Sequence, residues 1–98
     1  MKNNLIWDEA KHQANLLKHG LDFVDANEVL ESRYRWDVQL VRNGELRTQS
    51  ISYALGFLAV LSVAHTARNE AIRVISFRAA SKNEREAYYE WLENEYDG

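Results

Sequence analysis

Apolar positions along the chain change period twice, which divides it into a helical stretch, an extended stretch and a second helical stretch. Leu5-Ile6-Trp7 opens the pattern but is too short to type. Asp8 then stands as an N-cap beside Glu9, because a short acceptor satisfies free N–H groups and an acid suits the positive helix end. Ala10, Ala14 and Leu17 recur at helical spacing, and Gly20 ends the run where a left-handed residue is wanted. Asp22 caps a second helix whose apolar stripe is Phe23, Ala26, Val29 and Leu30. Two short helices joined at a glycine corner are predicted over 9–31.

From Tyr34 the period drops to two. Tyr34, Trp36, Val38 and Leu40 alternate with Arg35, Asp37 and Gln39, as in a half-buried strand. Asn43-Gly44 supplies the positive φ angles of a type I′ hairpin turn. The return strand is expected from about Glu45 to Leu55, with a sharp turn at Gly56. Phe57 to Thr66 is almost wholly apolar, which predicts a central strand covered on both faces. Ala67-Arg68-Asn69-Glu70 reads as a polar turn before a β-rich stretch, Ala71 to Arg78. Ser81 and Glu84 form a capping box, so a third helix opens there, with Ala87, Tyr88, Trp91, Leu92 and Tyr96 on one face. The expected class is α+β: two N-terminal helices, an antiparallel meander of about four strands, and a C-terminal helix packed on the sheet. Its 98 residues suit a single domain, 1–98.

Composition removes several kinds of chemistry. There is no cysteine, so disulfides, thiolate catalysis and zinc–sulfur sites are excluded. The least charged run, Thr48 to Ala64, holds Gln49, Ser50, Ser52, Tyr53 and Ser62, which is no membrane span. Met1-Lys2-Asn3-Asn4 reaches Trp7-Asp8-Glu9 before an apolar leader could form, so a soluble, cytoplasmic protein is expected. The four glycines are scattered singly, so no glycine-rich phosphate loop for a nucleotide cofactor is expected. His12 and His19 lie two helical turns apart, about 10 Å of rise, and no HExxH or paired carboxylates complete a metal site. No cofactor and no metal are expected. Ser76 lacks the GxSxG setting of a serine hydrolase.

The net charge of −3 conceals a segregated distribution. Residues 47–82 hold five Lys/Arg against Glu70 alone, whereas residues 83–98 hold Arg85 against six acids. One reading pairs the arginines with the acidic tail. The other makes them a local polyanion surface, because binding depends on local potential rather than on the overall charge. That surface would combine Lys18 and His19 at the first helix end with Arg47, His65, Arg68, Arg73 and Arg78 along the sheet. Planar guanidinium forks suit a phosphodiester, and a lysine or histidine beside them could move protons during attack by a ribose 2′-hydroxyl. Lys18 and His19 also serve as ordinary helix C-terminal cations. Arg73 and Arg78 differ by five, which puts them on opposite strand faces unless a bulge intervenes; Arg78, at the strand end, is the favoured member.

These residues resemble a family. Trp7-Asp8, Lys11, Asn15, Lys18-His19-Gly20, Phe23 and Ala26 are similar to the N-terminal signature of BrnT toxins. Arg47, Gly56, Val63, His65-Thr66, Arg68, Ile75-Ser76-Phe77-Arg78, Ala80-Ser81 and Glu84-Arg85 resemble the rest of that family's pattern. The resemblance implies a type II toxin with a RelE-like fold that cleaves RNA without metal. It also implies a cognate BrnA-like antitoxin whose ribbon-helix-helix part binds DNA. DNA would then be engaged only through that hetero-oligomer. Lys18, His19, Arg68 and Arg78 are the expected catalytic residues, with Arg47, His65 and Arg73 binding RNA. A non-catalytic relative that only engages antitoxin or RNA is the alternative.

Overall fold

The computed structural model describes residues 4–96, except for the side chain of Tyr96. Met1 to Asn3, the start of the stretch expected to carry no apolar leader, and the Tyr96 side chain expected on the last apolar face lie outside the described residues. Strand β1 (Leu5–Ile6) leads into helix α1 (Glu9–His19). A 3₁₀ turn (Phe23–Ala26) and one α turn, α2 (Asn27–Leu30), precede β2 (Trp36–Arg42), β3 (Glu45–Ala54), β4 (Ala59–Arg68), β5 (Ala71–Ala79) and helix α3 (Lys82–Tyr96).

The sheet order is β1-β5-β4-β3-β2, and the four long strands form the expected antiparallel meander. Asn43 and Gly44 turn the β2–β3 hairpin at φ +52° and +77°. The sheet nevertheless has five strands and is mixed, which corrects the four-strand expectation. β1 adds parallel to β5 through Leu5↔Ile72 and Ile6↔Arg73. Two residues have no readable period, and only their distant partner makes them a strand. The second N-terminal helix is also corrected, to a 3₁₀ turn running into four α residues. Asp22 caps this segment by accepting from the Val24 N–H at 3.0 Å. Phe23, Ala26, Val29 and Leu30 are all buried, so packing rather than helix propagation holds it. At the β3–β4 connection the left-handed residue is Leu58 (φ +53°) rather than Gly56, and β4 starts at Ala59.

Helix α1 departs furthest from its pattern. Ala10 and Ala14 are exposed and Leu17 is 91% exposed, so the stripe predicted to be buried faces water. The buried residue is Asn15. Its amide donates to the Phe77 carbonyl (2.8 Å) and to the Leu21 carbonyl (3.1 Å), while its carbonyl accepts from the Phe77 N–H (3.0 Å). β1 pairs with β5 only at Ile72 and Arg73, and at Phe77 the Asn15 side chain supplies the bonds that another strand would give. Helix α1 is thus fastened to the sheet edge by hydrogen bonds. His12 fixes the opposite end, bonded to Glu9 (3.1 Å) and Asp22 (2.8 Å). The bond to Glu9 is the main reason its pKa is raised.

One sheet face carries Leu61, Val63, Val74 and Phe77 and is covered by Phe23, Ala26, Val29 and Leu30. The other carries Ile51 and Val60 beneath Tyr88 of α3, with Trp36 stacked on Trp91 at 6.1 Å. Ala87, assigned to the apolar face, is exposed. The capping box forms: the Ser81 hydroxyl accepts from the Glu84 N–H (3.2 Å), and Glu84 accepts from the Ser81 N–H (2.8 Å). Ser81→Ala should therefore cost ~1 kcal/mol. A denaturant midpoint equal to that of the parent would argue that this cap contributes nothing.

Candidate nucleic-acid interface

Register decides which arginines share a face. Ala64 pairs with Ser76, but the next residue, His65, pairs with Val74, so β5 holds an extra residue at Ile75. This bulge cancels the odd spacing between Arg73 and Arg78. The two now lie opposite Thr66 and Ser62, four apart on β4 and therefore on one face. Arg47, opposite Leu40 on β2, joins them through the β3–β4 register. Where α3 leaves this face open there is a groove of about 460 Å³, lined among others by Leu40, Arg42, Arg47, Gln49, Ser62 and Arg78.

The cations of this face, Arg42, Arg47 and Arg78 in the groove lining and Arg73 beside it, are only partly neutralised. Arg47 donates from Nε to Glu45 at 3.0 Å. Among the described residues Arg42 and Arg73 have no ion pair. Arg78, favoured for its place at the strand end, forks its Nη1 and Nη2 onto Glu84 at 2.7 and 2.9 Å. Among the described residues, the pairing of arginine with the acidic C-terminal segment thus holds for Arg78. Bonding to Arg78, more than any other contact, pulls the Glu84 carboxyl down to about 2, against the opposing effect of burial. The same contact holds the Arg78 guanidinium above its ordinary value.

Lys18 and His19 occupy the last turn of α1, where they line a shallow depression together with Asn15 and Ile75. Ile75 also lines the arginine groove, so the bulge residue lies between the two cationic groups. Arg68, two residues along β4 from the Thr66 that faces Arg73, shares that face but is exposed at the β4–β5 hairpin; neither Arg68 nor Arg73 is part of the groove lining. His65 lies elsewhere. Its register partners, Thr48 and Val74, belong to the opposite face, where it is 6% exposed. There its Nε2 lies 2.7 Å from the Ser50 hydroxyl, and Ser50 donates to Asp37 at 2.6 Å. Burial first, and then the Arg35 charge, lower its pKa to about 4, so near neutrality it is an uncharged buried ring rather than a cation facing RNA.

The sequence reading missed Arg42, Gln49, Ser62 and the second role of Glu84. Gln49 and Ser62 follow from the strand register, whereas the capping box accounted for Glu84 and so concealed its bond to Arg78. A second depression, about 520 Å³, is lined by Asp25, Glu28 and Glu31, the wrong sign for a phosphodiester. No helix among the described residues is long and apolar enough to cross a membrane.

A family model described as the ribonuclease toxin BrnT, of type II toxin–antitoxin systems, matches residues 7–84. No curated protein matches the chain.

Proposed function

The chain belongs to the BrnT family of type II toxin–antitoxin ribonuclease toxins, and on that footing we propose that it cleaves RNA in the arginine-lined groove without a metal ion. The observation behind this reading is the convergence of Arg47, Arg73 and Arg78 on one open sheet face through the bulge at Ile75. Arg42, Arg47 and Arg73 would hold the RNA backbone, since guanidinium groups bind phosphate oxygens through paired N–H bonds. Arg78 would stabilise the charge that builds on the nonbridging oxygens during reaction.

In the proposed reaction the ribose 2′-oxygen attacks phosphorus and the bond to the 5′-oxygen breaks. One group takes the 2′ proton and another protonates the departing oxygen, leaving a 2′,3′-cyclic phosphate and a 5′-hydroxyl. Lys18 and His19, across Ile75 from the groove, are the proposed proton carriers. Arg68 is assigned to backbone contact at the hairpin, and His65 is left out of the surface. The sheet would serve as the platform of a RelE-like toxin acting in the cytoplasm. A BrnA-like antitoxin, with a ribbon-helix-helix part that binds DNA, would cover the groove in a hetero-oligomer.

Expression without the antitoxin should arrest growth and degrade bulk RNA, and co-expression should prevent both. Cleavage by the purified chain should persist in EDTA and leave 2′,3′-cyclic phosphate ends. Activity lost in EDTA and restored by magnesium would refute the mechanism. The Arg78–Glu84 pair favours a second reading, a binding module without catalysis, because that guanidinium already holds an anion. Intact RNA bound to the purified chain would select that alternative.

A further inference from the structure

We propose that Glu84 is a positioning residue for RNA cleavage, setting the orientation of Arg78 and Gln49 in the groove; the proposal rests on reading that groove as the RNA surface. The Glu84 carboxylate receives four bonds, two on each oxygen. Oε1 accepts from Arg78 Nη1 (2.7 Å) and the Ser81 N–H (2.8 Å). Oε2 accepts from Arg78 Nη2 (2.9 Å) and Gln49 Nε2 (2.7 Å). These donors come from β5, from the residue that caps α3, and from β3, so one side chain ties three elements together beside the groove. Gln49 is held further by the Ser62 hydroxyl at 2.9 Å.

This arrangement excludes a proton-transfer role. A carboxylate whose lone pairs all accept bonds, and whose pKa lies near 2, has little affinity for a ribose proton and none to give near neutrality. Its influence on RNA has to pass through the groups it holds. The chemistry of Arg78 shows how. Two of its five N–H groups point at Glu84, and a third, on Nη1, reaches the Ala79 carbonyl at 3.2 Å. The two that remain are the Nε–H and the second N–H of Nη2. In a planar guanidinium these lie side by side and make a second parallel fork. Glu84 occupies the end-on fork and thereby aims the side-on fork, which is the geometry a phosphate accepts. The carboxylate therefore orients the guanidinium without using up its capacity for an anion.

The test is single-turnover cleavage of a single-stranded RNA oligonucleotide by the purified chain. Glu84→Gln keeps the shape and an oxygen for the Ser81 N–H but removes the charge that fixes Arg78. It should slow cleavage about 10²-fold, the scale of a 1 Å misplacement, with RNA affinity changed by less than about threefold. In an Arg78→Lys background, which lacks the second fork, the same change should cost less than about threefold, since a residue acting through Arg78 has nothing left to position. Ser81→Ala, which loosens the same helix end, should lower stability and leave the rate unchanged. Glu84→Asp serves if Glu84→Gln melts below the assay temperature, because withdrawing the charge by a methylene should slow cleavage likewise. An unchanged rate, full additivity with Arg78→Lys, or tighter binding and faster cleavage would each overturn the proposal. The last result would mean that Glu84 competes with RNA. If an Arg42→Ala/Arg47→Ala double variant, which strips two arginines from the groove lining, cleaves normally, the groove reading itself fails; if that variant is inactive and Glu84→Gln is normal, only the positioning role falls.

Discussion

Arg78→Lys should lower the single-turnover rate of RNA cleavage by about 10²–10³, the effect of losing one preorganised donor to a transition-state oxyanion, or about 2.7–4 kcal/mol of barrier. Lysine is the informative substitution. Alanine would leave the part-buried Glu84 carboxylate without its cation, so lost activity could reflect a loosened α3 start. Lysine keeps a positive charge near Glu84 but cannot bond one anion end-on and another side-on. Melting should stay close to that of the parent while the rate collapses. Arg68→Ala is the contrast. Arg68 is exposed at the hairpin, beyond the groove lining, and its loss should weaken RNA binding modestly and cut the rate less than tenfold. Wild-type cleavage by a folded Arg78→Lys variant, or a larger loss from Arg68→Ala, would place the reacting phosphate elsewhere.

Local chemistry was the legible part of this sequence. Asp8, Asn43-Gly44 and the Ser81–Glu84 box each act within four residues of themselves, and each does what its residue types require. Features set by distant partners were not legible. Leu5–Ile6 becomes a strand only beside Ile72 and Arg73. Helix α1 shows a plausible apolar stripe, yet it docks through Asn15, whose bonds go to a backbone 62 residues away. The site follows the same rule. Strand parity separates Arg73 from Arg78, and the bulge that reunites them sits at Ile75, with no glycine or other local marker. His65, next to Ala64 of the groove lining, turns to the other face because strand side chains alternate, and burial there removes its charge. Glu84 shows that one legible role can conceal a second.

The back of the platform should be acid-sensitive through His65. Its ring projects from β4 to the face opposite the groove, with Ser50 of β3 at 2.7 Å; Ser50 gives its proton to Asp37, so the imidazole Nε2 must be the donor to Ser50. Arg35 donates to both oxygens of Asp37, from Nε to Oδ1 at 2.8 Å and from Nη2 to Oδ2 at 2.9 Å, so the carboxylate near the ring is already neutralised. Burial and the Arg35 charge together put the folded pKa at about 4, below an unfolded value near 6.5. The folded state therefore binds the His65 proton less readily than the unfolded chain does. The resulting stability is fully present above about pH 6.5, falls by about 2 kcal/mol by pH 5, and approaches a loss of about 3 kcal/mol below pH 4. His12 has the opposite sign: its raised pKa gives stability that is present at low pH and lost as pH rises. The difference between the parent and His65→Gln isolates the buried ring, since glutamine keeps an N–H for Ser50 and cannot ionise. In urea melts the parent should lose stability relative to His65→Gln by about 2 kcal/mol between pH 7 and pH 5. A constant difference across that interval would mean that His65 ionises as freely in the fold as in the unfolded chain, and that the strands behind the arginine groove are not joined by a neutral imidazole.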